Sequence, residues 1–485
     1  QRDNNYFRAE NSGFGTDATH ENNLGGGNAP KMSSSKDRRK DISGFGRVDY
    51  SFDDKYLATV TLRRDGSSVF GGNNKYAYFP GVSVGWKIDK EDFMAGAADK
   101  VDILKLRLGY GQSGNSGIDP YQSLSKYDMT TNGILGQNKV SGATLTNYME
   151  NPDLKWETTS QVNLGIDYGF FSRLSGNLDF FVKNTKDMLV QVSQSPMTGH
   201  KYQWQNAASM RVWGLEYSLN STNIQTRDFE WDTQLSFSWT DNKITDYNVT
   251  DESTVAALNT IGVIKGERTN SYYTYVIDGI DPSSGSYRFK DLDGDGSITV
   301  KDKAILGTPD PRVILGFGNT FKYKNFALDI FFNANFGNKM YNYSAMNFTL
   351  PNTFETSNYM VDAMNYWSES NPNSDIAANR ANGNGNALYN SRWIEDAWFI
   401  RLQNVTLSYN LASIPSLRKI FPTAKIYVQA QNLFLITPYS GLDPELANNA
   451  YMSSSENLPA FLPGSVDMNA YPPARTFTVG LNFSF

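Results

Sequence analysis

Between Arg475 and the terminal Phe485, the residues Phe477, Val479, Leu481, Phe483 and Phe485 fall on one face of an extended chain, and Thr478, Gly480, Asn482 and Ser484 on the other. A strictly apolar face backed by small polar residues suits a strand with lipid on one side and water on the other. In a bilayer every backbone group must find a partner across strands, so such strands belong to a barrel wall. The terminal aromatic points to the bacterial outer membrane.

The same period of two recurs in about thirteen segments. Val162, Leu164, Ile166 and Tyr168 alternate with Gln161, Asn163 and Asp167; Leu235, Phe237 and Trp239 alternate with Gln234, Ser236 and Ser238. Charge falls on the second face only, at Arg47, Asp49, Arg63, Lys105, Arg107 and Asp167. The chain holds 28 Tyr, 29 Phe and 9 Trp, yet its mean hydropathy is -0.48 because polar residues interleave with apolar ones. No run of roughly 18 apolar residues occurs, which excludes a transmembrane helix. With no Cys there is no disulfide framework, thiolate nucleophile or cysteine metal site. A net charge of -6 argues against nucleic acid as a partner.

Alternation alone also suits a soluble β-sandwich. The connections choose between the two, because they run short and long by turns. FDDK near Asp53, GFFS at 169 to 172 and KYKN at 322 to 325 are short, whereas 113 to 157, 184 to 210, 241 to 311, 337 to 396 and 437 to 473 are long. Outer-membrane barrels have short periplasmic turns and longer extracellular loops. The expected fold class is therefore all-β, a transmembrane antiparallel β-barrel over residues 42 to 485. Residues 1 to 41, rich in Gly, Asn and Ser, read as an extracellular loop segment with no core of its own. An odd number of strands starting outside the cell leaves two open edges, so another piece is expected to close the wall. No signal-peptide pattern opens at Gln1, so the chain reads as a mature or processed piece.

Several stretches resemble a known family. They are LKLRLGYGQSGNSG followed by SKYDMTTNGILG, NPDLKWETTSQVNLGIDYGFF, LDFFVKNTKDML, SRWIEDAWFIRLQNVTLSYNL, AQNLFLITPYSGLDPE and YPPARTFTVGLNFSF. Together they look like the C-terminal half of the SusC/RagA TonB-dependent transporters of Bacteroidetes. The resemblance implies a barrel of about 22 strands, of which this chain supplies the last thirteen or so. It implies an N-terminal part with the plug domain, a segment that engages TonB and the earlier strands, and we expect a second chain to hold that part. It further implies a SusD-like surface lipoprotein as lid, contact with outer-membrane lipid, and room for a dimer of transporter and lid pairs. We expect the division to fall in an extracellular loop.

The most specific local chemistry is DLDGDGSITVKD at 291 to 302. Asp291, Asp293 and Asp295 occupy positions 1, 3 and 5 of a calcium loop, Gly296 position 6, Ser297 the carbonyl position 7 and Asp302 position 12. Asp302 replaces the usual Glu, and the flanks lack a clear helical pattern. Such a loop would bind Ca2+ structurally and order a long extracellular connection; the bland reading is a solvated Asp/Gly turn. The two histidines, His20 and His200, sit in polar loop sequence without companions, and no G-x-S-x-G, HExxH or P-loop pattern occurs. No catalytic residue is assigned.

Aromatics near the short turns, Tyr50, Phe52, Tyr168, Phe170, Tyr323 and Phe326, read as an interface belt. Those in long loops, including Tyr202, Trp204, Tyr272, Tyr273, Tyr275, Tyr341, Tyr343, Tyr366, Trp367 and Tyr389, suit either stacking on cargo or packing the loops and a lid together, and packing is the simpler expectation. The inner-wall charges are expected to pair with the plug. The whole reads as a nutrient importer for glycans or oligopeptides rather than an enzyme. A SusC-like scaffold without transport, and a secreted all-β glycan-binding protein or hydrolase, remain as alternatives.

Overall fold

The computed structural model describes residues 2–484 except 15–24, 26, 129–132, 136–137, 141–143, 146, 351–357, 379–388, 419–420, 422, 446–465 and 469–470. Phe485 and His20 lie outside the described residues.

One sheet dominates. Its strands, in chain and spatial order alike, are Asp41–Phe52, Tyr56–Ser67, Tyr76–Lys87, Val101–Asn115, Glu157–Phe170, Leu174–Ser193, Tyr202–Gln225, Phe229–Tyr247, Val313–Tyr323, Phe326–Phe336, Phe399–Asn410, Thr423–Ile436 and Thr476–Ser484. Every neighbouring pair is antiparallel. The expected thirteen strands are thus present as a meander. The short strand Tyr148–Met149 adds a parallel pairing to the seventh strand.

Register makes the alternation act as a wall. Tyr50, Ala58, Val84, Leu108, Leu164, Phe180, Leu215, Trp239, Val313 and Phe336 lie opposite one another across ten strands. A parallel row on the other face reads Lys87, Lys105, Asp167, Asn177, Ser218, Ser236, Gly316, Asn333 and Arg401. A one-residue slip would exchange the two faces completely. The apolar face is uncovered, with Val162 47%, Leu164 45% and Phe180 45% exposed. A two-layer sandwich would bury those side chains between its sheets, so a freestanding soluble body is excluded.

Tight turns close one end. Asp53 and Asp54 both take left-handed backbone near φ 51°, as do Phe171, Ser172 and Lys324 at the corresponding turns. Such residues match the turn to the right-handed twist of the flanking strands. Aromatic rings cluster at this end: Phe52 stacks on Tyr56, Tyr168 on Phe170 and Tyr217, and Phe326 meets Tyr409 at 4.7 Å.

The opposite end differs from expectation most in two places, and the connection expected from 241 begins only after the strand ends at Tyr247. Residues 184 to 210, read as a loop, are largely strand: Leu174–Ser193 and Tyr202–Gln225 leave only 194 to 201 between them. The 24 residues of the latter exceed the roughly 9–11 that cross a bilayer, so the ribbon continues beyond it. It is held there because Val190, Val192, Ala207 and Ala208 pack against Ile244, Leu258 and Val263. Register shifts near Met188 accommodate the longer ribbon. Residues 1 to 41 are also not simply loop, since Arg2–Glu10 pairs with Lys31–Arg39 as a hairpin. The first wall strand begins at Asp41, one residue before the expected Ile42. Backbone pairing holds the hairpin, whose side chains are almost all exposed, and its end is tied to the chain beyond the fourth wall strand by Arg39, which donates to the Ser116 carbonyl at 2.9 Å, and by the Arg38 N–H, which donates to Tyr121 Oη at 3.0 Å.

The largest buried core lies among the long connections, away from the wall. It joins Tyr272, Tyr287, Tyr341, Tyr343, Met346, Leu350, Ile376, Trp393 and Val466.

Candidate functional site

Two surfaces have functional geometry: the polar inner wall and the loop cluster above it. On the wall, the expected charges meet one another. Arg47 Nε donates to Asp49 Oδ2 at 2.8 Å, and Arg63 pairs with Asp65 at 2.7 Å. Arg107 Nε donates to Asp167 at 2.9 Å, and its Nη2 reaches across the fifth strand to Asp179 Oδ2 at 2.9 Å. Lys105 Nζ stands 3.9 Å from Asp167. The expectation that these groups await a plug is corrected to this extent: most have partners on the wall itself, because inward side chains two apart on one strand, as in Arg47–Asp49 and Arg63–Asp65, or on adjacent strands, as in Arg107–Asp167, lie within ion-pair reach.

Gly165 makes the long reach of Arg107 possible. A Cβ there would collide with the Asp179 carboxylate and come within 2.6 Å of Arg107 Nη2. Asp179 directly faces Glu216 on the next strand, so Arg107 offsets a like-charge pair. Gly165→Ala is expected to push Arg107 off Asp179 and destabilise the barrel by about 1–3 kcal/mol, through overpacking and the exposed repulsion. Urea unfolding of the purified barrel in lipid, compared with Gly109→Ala, measures it; equal stability of the two variants would contradict the slot. Gly109 is the right comparison because a Cβ there meets nothing closer than 3.8 Å.

Two hollows mark the inner face. One of about 900 Å³ near the turns is lined by Ser175, Asn220, Asp232, Gln234, Thr320 and Asp329 among others. Another of about 420 Å³ is lined by uncharged Thr59, Ser83, Gly111, Gln112 and Gln161. In the larger one Thr222 Oγ1 donates to Asp232 at 2.8 Å and Thr320 Oγ1 to Asp329 at 2.7 Å, and hydroxyls, amides and carboxylates of this kind bind water and polar solutes.

Buried polar contacts fasten the loops above. Arg401 Nη2 donates to both Asp443 oxygens at 2.7 and 2.8 Å, and each side chain is only 4% exposed. Tyr439 Oη donates to Asp467 Oδ2 at 2.8 Å, and burial together with that carboxylate pushes the phenol far above its ordinary range. Glu395 accepts from Asn342 Nδ2 at 3.0 Å and from the Ser440 N–H at 2.9 Å. Sequence reading missed all of these, since partners 28 to 53 residues apart leave no local pattern. Of the loop aromatics, Tyr272, Tyr275, Tyr341 and Tyr343 are buried and serve packing, whereas Tyr202 and Tyr366 remain exposed at 36% and 37%.

The acidic loop is flanked by strands Tyr287–Phe289 and Lys303–Ile305 rather than helices. Asp291, Asp293 and Asp302 each bring a carboxylate oxygen to within 4.8 Å of the others. These hard oxygens suit a hard divalent cation. The fit is incomplete at position 12, because Asp302 Oδ2 accepts the Thr299 N–H and Oδ1 the Leu292 N–H, both at 2.7 Å. Asp295 instead closes on the Ser297 N–H at 2.8 Å and stands outside the convergent group. The N–H donors of Thr299 and Leu292 hold the Asp302 carboxyl below the usual carboxylate range.

Comparisons with known proteins agree with this architecture. The family described as TonB dependent receptor-like, beta-barrel matches residues 2–433. TonB-dependent receptor P3 of Formosa agariphila is 33% identical over 99% of this chain and 49% of its own length. TonB-dependent receptor SusC of Bacteroides thetaiotaomicron is 31% identical over 92% of this chain and 44% of its own. The structure of the RagAB peptide transporter superposes with a TM-score of 0.75 at 26% identity, covering 95% of this chain and 49% of that one. The chain thus spans about half the length of the curated relatives it matches. With its thirteen-strand wall, apolar outside and polar inside, the chain belongs to the TonB-dependent receptor-like β-barrel family, in its SusC/RagA branch.

Proposed function

We propose that this chain forms part of the wall of an outer-membrane importer that takes up a nutrient, glycan or oligopeptide, using work delivered through TonB. The observation that carries the reading is the register, which sets an unbroken apolar row over ten strands against a polar one over nine. The loop end faces the cell exterior and the tight turns face the periplasm. A SusD-like lipoprotein covers the loop cluster, as the similarity to SusC and to the RagAB transporter supports. The strands Asp41–Phe52 and Thr476–Ser484 each pair on one side only among the described residues. A closed wall therefore takes further strands, with a plug-bearing portion through which TonB acts. Disrupting the gene in the native bacterium is expected to abolish uptake of one labelled oligosaccharide or oligopeptide class. Collapse of the proton gradient should do the same, and uptake unaffected by either treatment would refute import.

Calcium at the acidic loop is part of this reading, with Asp291 and Asp293 as first ligands, Asp295 and Ser297 completing the loop side and Asp302 at its close. We expect Ca2+ to protect residues 241 to 311 from proteolysis in the intact complex, and Asp291→Asn with Asp293→Asn to remove that protection. Cleavage indifferent to chelator would contradict it. Independently of metal, the depressed Asp302 carboxyl contributes stability above its unfolded value, about 3.9, and this is lost as pH falls through its lower folded value. Acid should therefore loosen this loop only below about pH 4, and Asp302→Asn should loosen it already at neutral pH.

A further inference from the structure

Arg64 breaks the division of charge between the two faces of the wall. Ala58, Val60, Leu62 and Arg64 share the outward face of the second strand, whereas the neighbouring Arg63 points inward and pairs with Asp65. The expectation that charge lies on the inner face alone is corrected at this position: across the first three wall strands, Arg64 is the one charged side chain on the outward face. It is exposed and forms no hydrogen bond or ion pair among the described residues. Two rings hold it instead, with the guanidinium carbon 4.5 Å from the Tyr76 centroid and 5.5 Å from that of Tyr78.

The rings are themselves seated. Gly66 lies opposite Tyr76, and a Cβ there would collide with the Tyr76 ring and come within 3.2 Å of Ile42 Cγ2. The missing side chain lets the ring lie against the wall with the guanidinium over it. Arg64 is the ninth residue of Tyr56–Ser67 counted from the tight turn, and about 9–11 residues cross a bilayer. It therefore stands at the outer headgroup level, where tyrosines gather; Tyr76 and Tyr78 are 54% and 59% exposed there. Lys40 adds a second cation beyond Ile42. The Ser68 N–H donates to the Lys40 carbonyl at 2.9 Å, which carries the ladder one residue further and puts exposed Lys40 on the same face. Attraction to a ring uses no N–H donor, so the Arg64 fork stays available for bidentate recognition of a phosphate.

We infer that Arg64, with Tyr76, Tyr78 and Lys40, binds the phosphorylated headgroup of a lipid in the outer leaflet. The acyl chains run along Leu62, Val60 and Val82 below it, which are 53%, 51% and 47% exposed. Free phosphate shares the charge complement but gains nothing from that apolar track, so the lipid is the occupant that both features fit. The inference rests on the orientation proposed above, with the tight turns at the periplasm.

Native mass spectrometry of the intact complex in mild detergent tests it, with bisphosphorylated lipid A and its dephosphorylated form as probes. Wild type is expected to retain the phosphorylated lipid and to lose the other. Arg64→Gln should weaken retention about tenfold or more, the scale of one hydrogen bond to a charged group. Gly66→Ala should weaken it too, by unseating Tyr76. Arg227→Gln, at an exposed position in the connection between Tyr202–Gln225 and Phe229–Tyr247, should leave it unchanged. All three variants are expected to keep the heat-resistant migration of the folded barrel on gels. Equal retention of the two lipids, undiminished retention by Arg64→Gln, or displacement of the lipid by inorganic phosphate at equal concentration would overturn the assignment. Loss in Arg227→Gln in place of Arg64→Gln would instead overturn the orientation on which it rests.

Discussion

Arg401→Met is expected to release the connection after Ile436 from the top of the wall, at a local cost of about 3–5 kcal/mol, because it leaves the Asp443 carboxylate buried without its cation. Both side chains are 4% exposed, so water cannot replace the lost partner. Amide exchange at residues 437 to 445 should accelerate by about two orders of magnitude or more if opening becomes that much cheaper, while exchange in the strand Glu157–Phe170 stays unchanged. The double variant Arg401→Met with Asp443→Leu should recover most of the protection, since an apolar pair of similar volume carries no unpaired charge. Failure of the second substitution to rescue would mean that geometry, and not charge, is what Arg401 provides.

Phe237→Arg and Ser236→Arg should differ far more than neighbours in a chain usually do. Phe237 lies in the outward row between Tyr217 and Leu315, and Ser236 in the inward row between Ser218 and Gly316. An arginine facing hydrocarbon near the midplane costs about 2–4 kcal/mol, whereas lumen substitutions are tolerated. Equilibrium unfolding in lipid should therefore place Phe237→Arg well below wild type and leave Ser236→Arg within about 0.5 kcal/mol of it. Equal losses would mean that the two faces meet the same solvent.

The wall was legible in the sequence because its information is local. Val162 to Tyr168 announces two faces by period alone, and Asp53–Asp54 announces a turn by composition. The hairpin of Arg2–Glu10 with Lys31–Arg39 was not legible, since RDNNYFRAE and KMSSSKDRR carry no apolar face and are ordered by pairing with each other. The stretch from 184 to 210 was misread for a related reason. Beyond the bilayer a ribbon no longer needs an apolar side facing lipid, so its pattern weakens although its pairing continues.

The site divides the same way. Spacing singled out the acidic loop, where the carboxylates of Asp291, Asp293 and Asp302 lie near one another, but spacing could not tell that the Asp302 oxygens would be taken up by backbone N–H groups. Glycine in a strand is a visible signal, yet the role of Gly165 depends on a guanidinium 58 positions away in chain order, arriving from the neighbouring strand. Arg401 and Asp443 gave no sign at all, because burial of an ion pair is a property of packing.

The chain contains no cysteine, so single cysteines at positions 161 to 168, omitting Gly165, report directly on which solvent each face meets. In native membranes a charged maleimide should label Gln161, Asn163 and Asp167 positions, and a lipid-soluble reagent should label those of Val162, Leu164 and Ile166. A strict exchange of reactivity at every step is the predicted result. Labelling of the Val162, Leu164 and Ile166 positions by the charged reagent as readily as their neighbours would contradict a wall set in lipid.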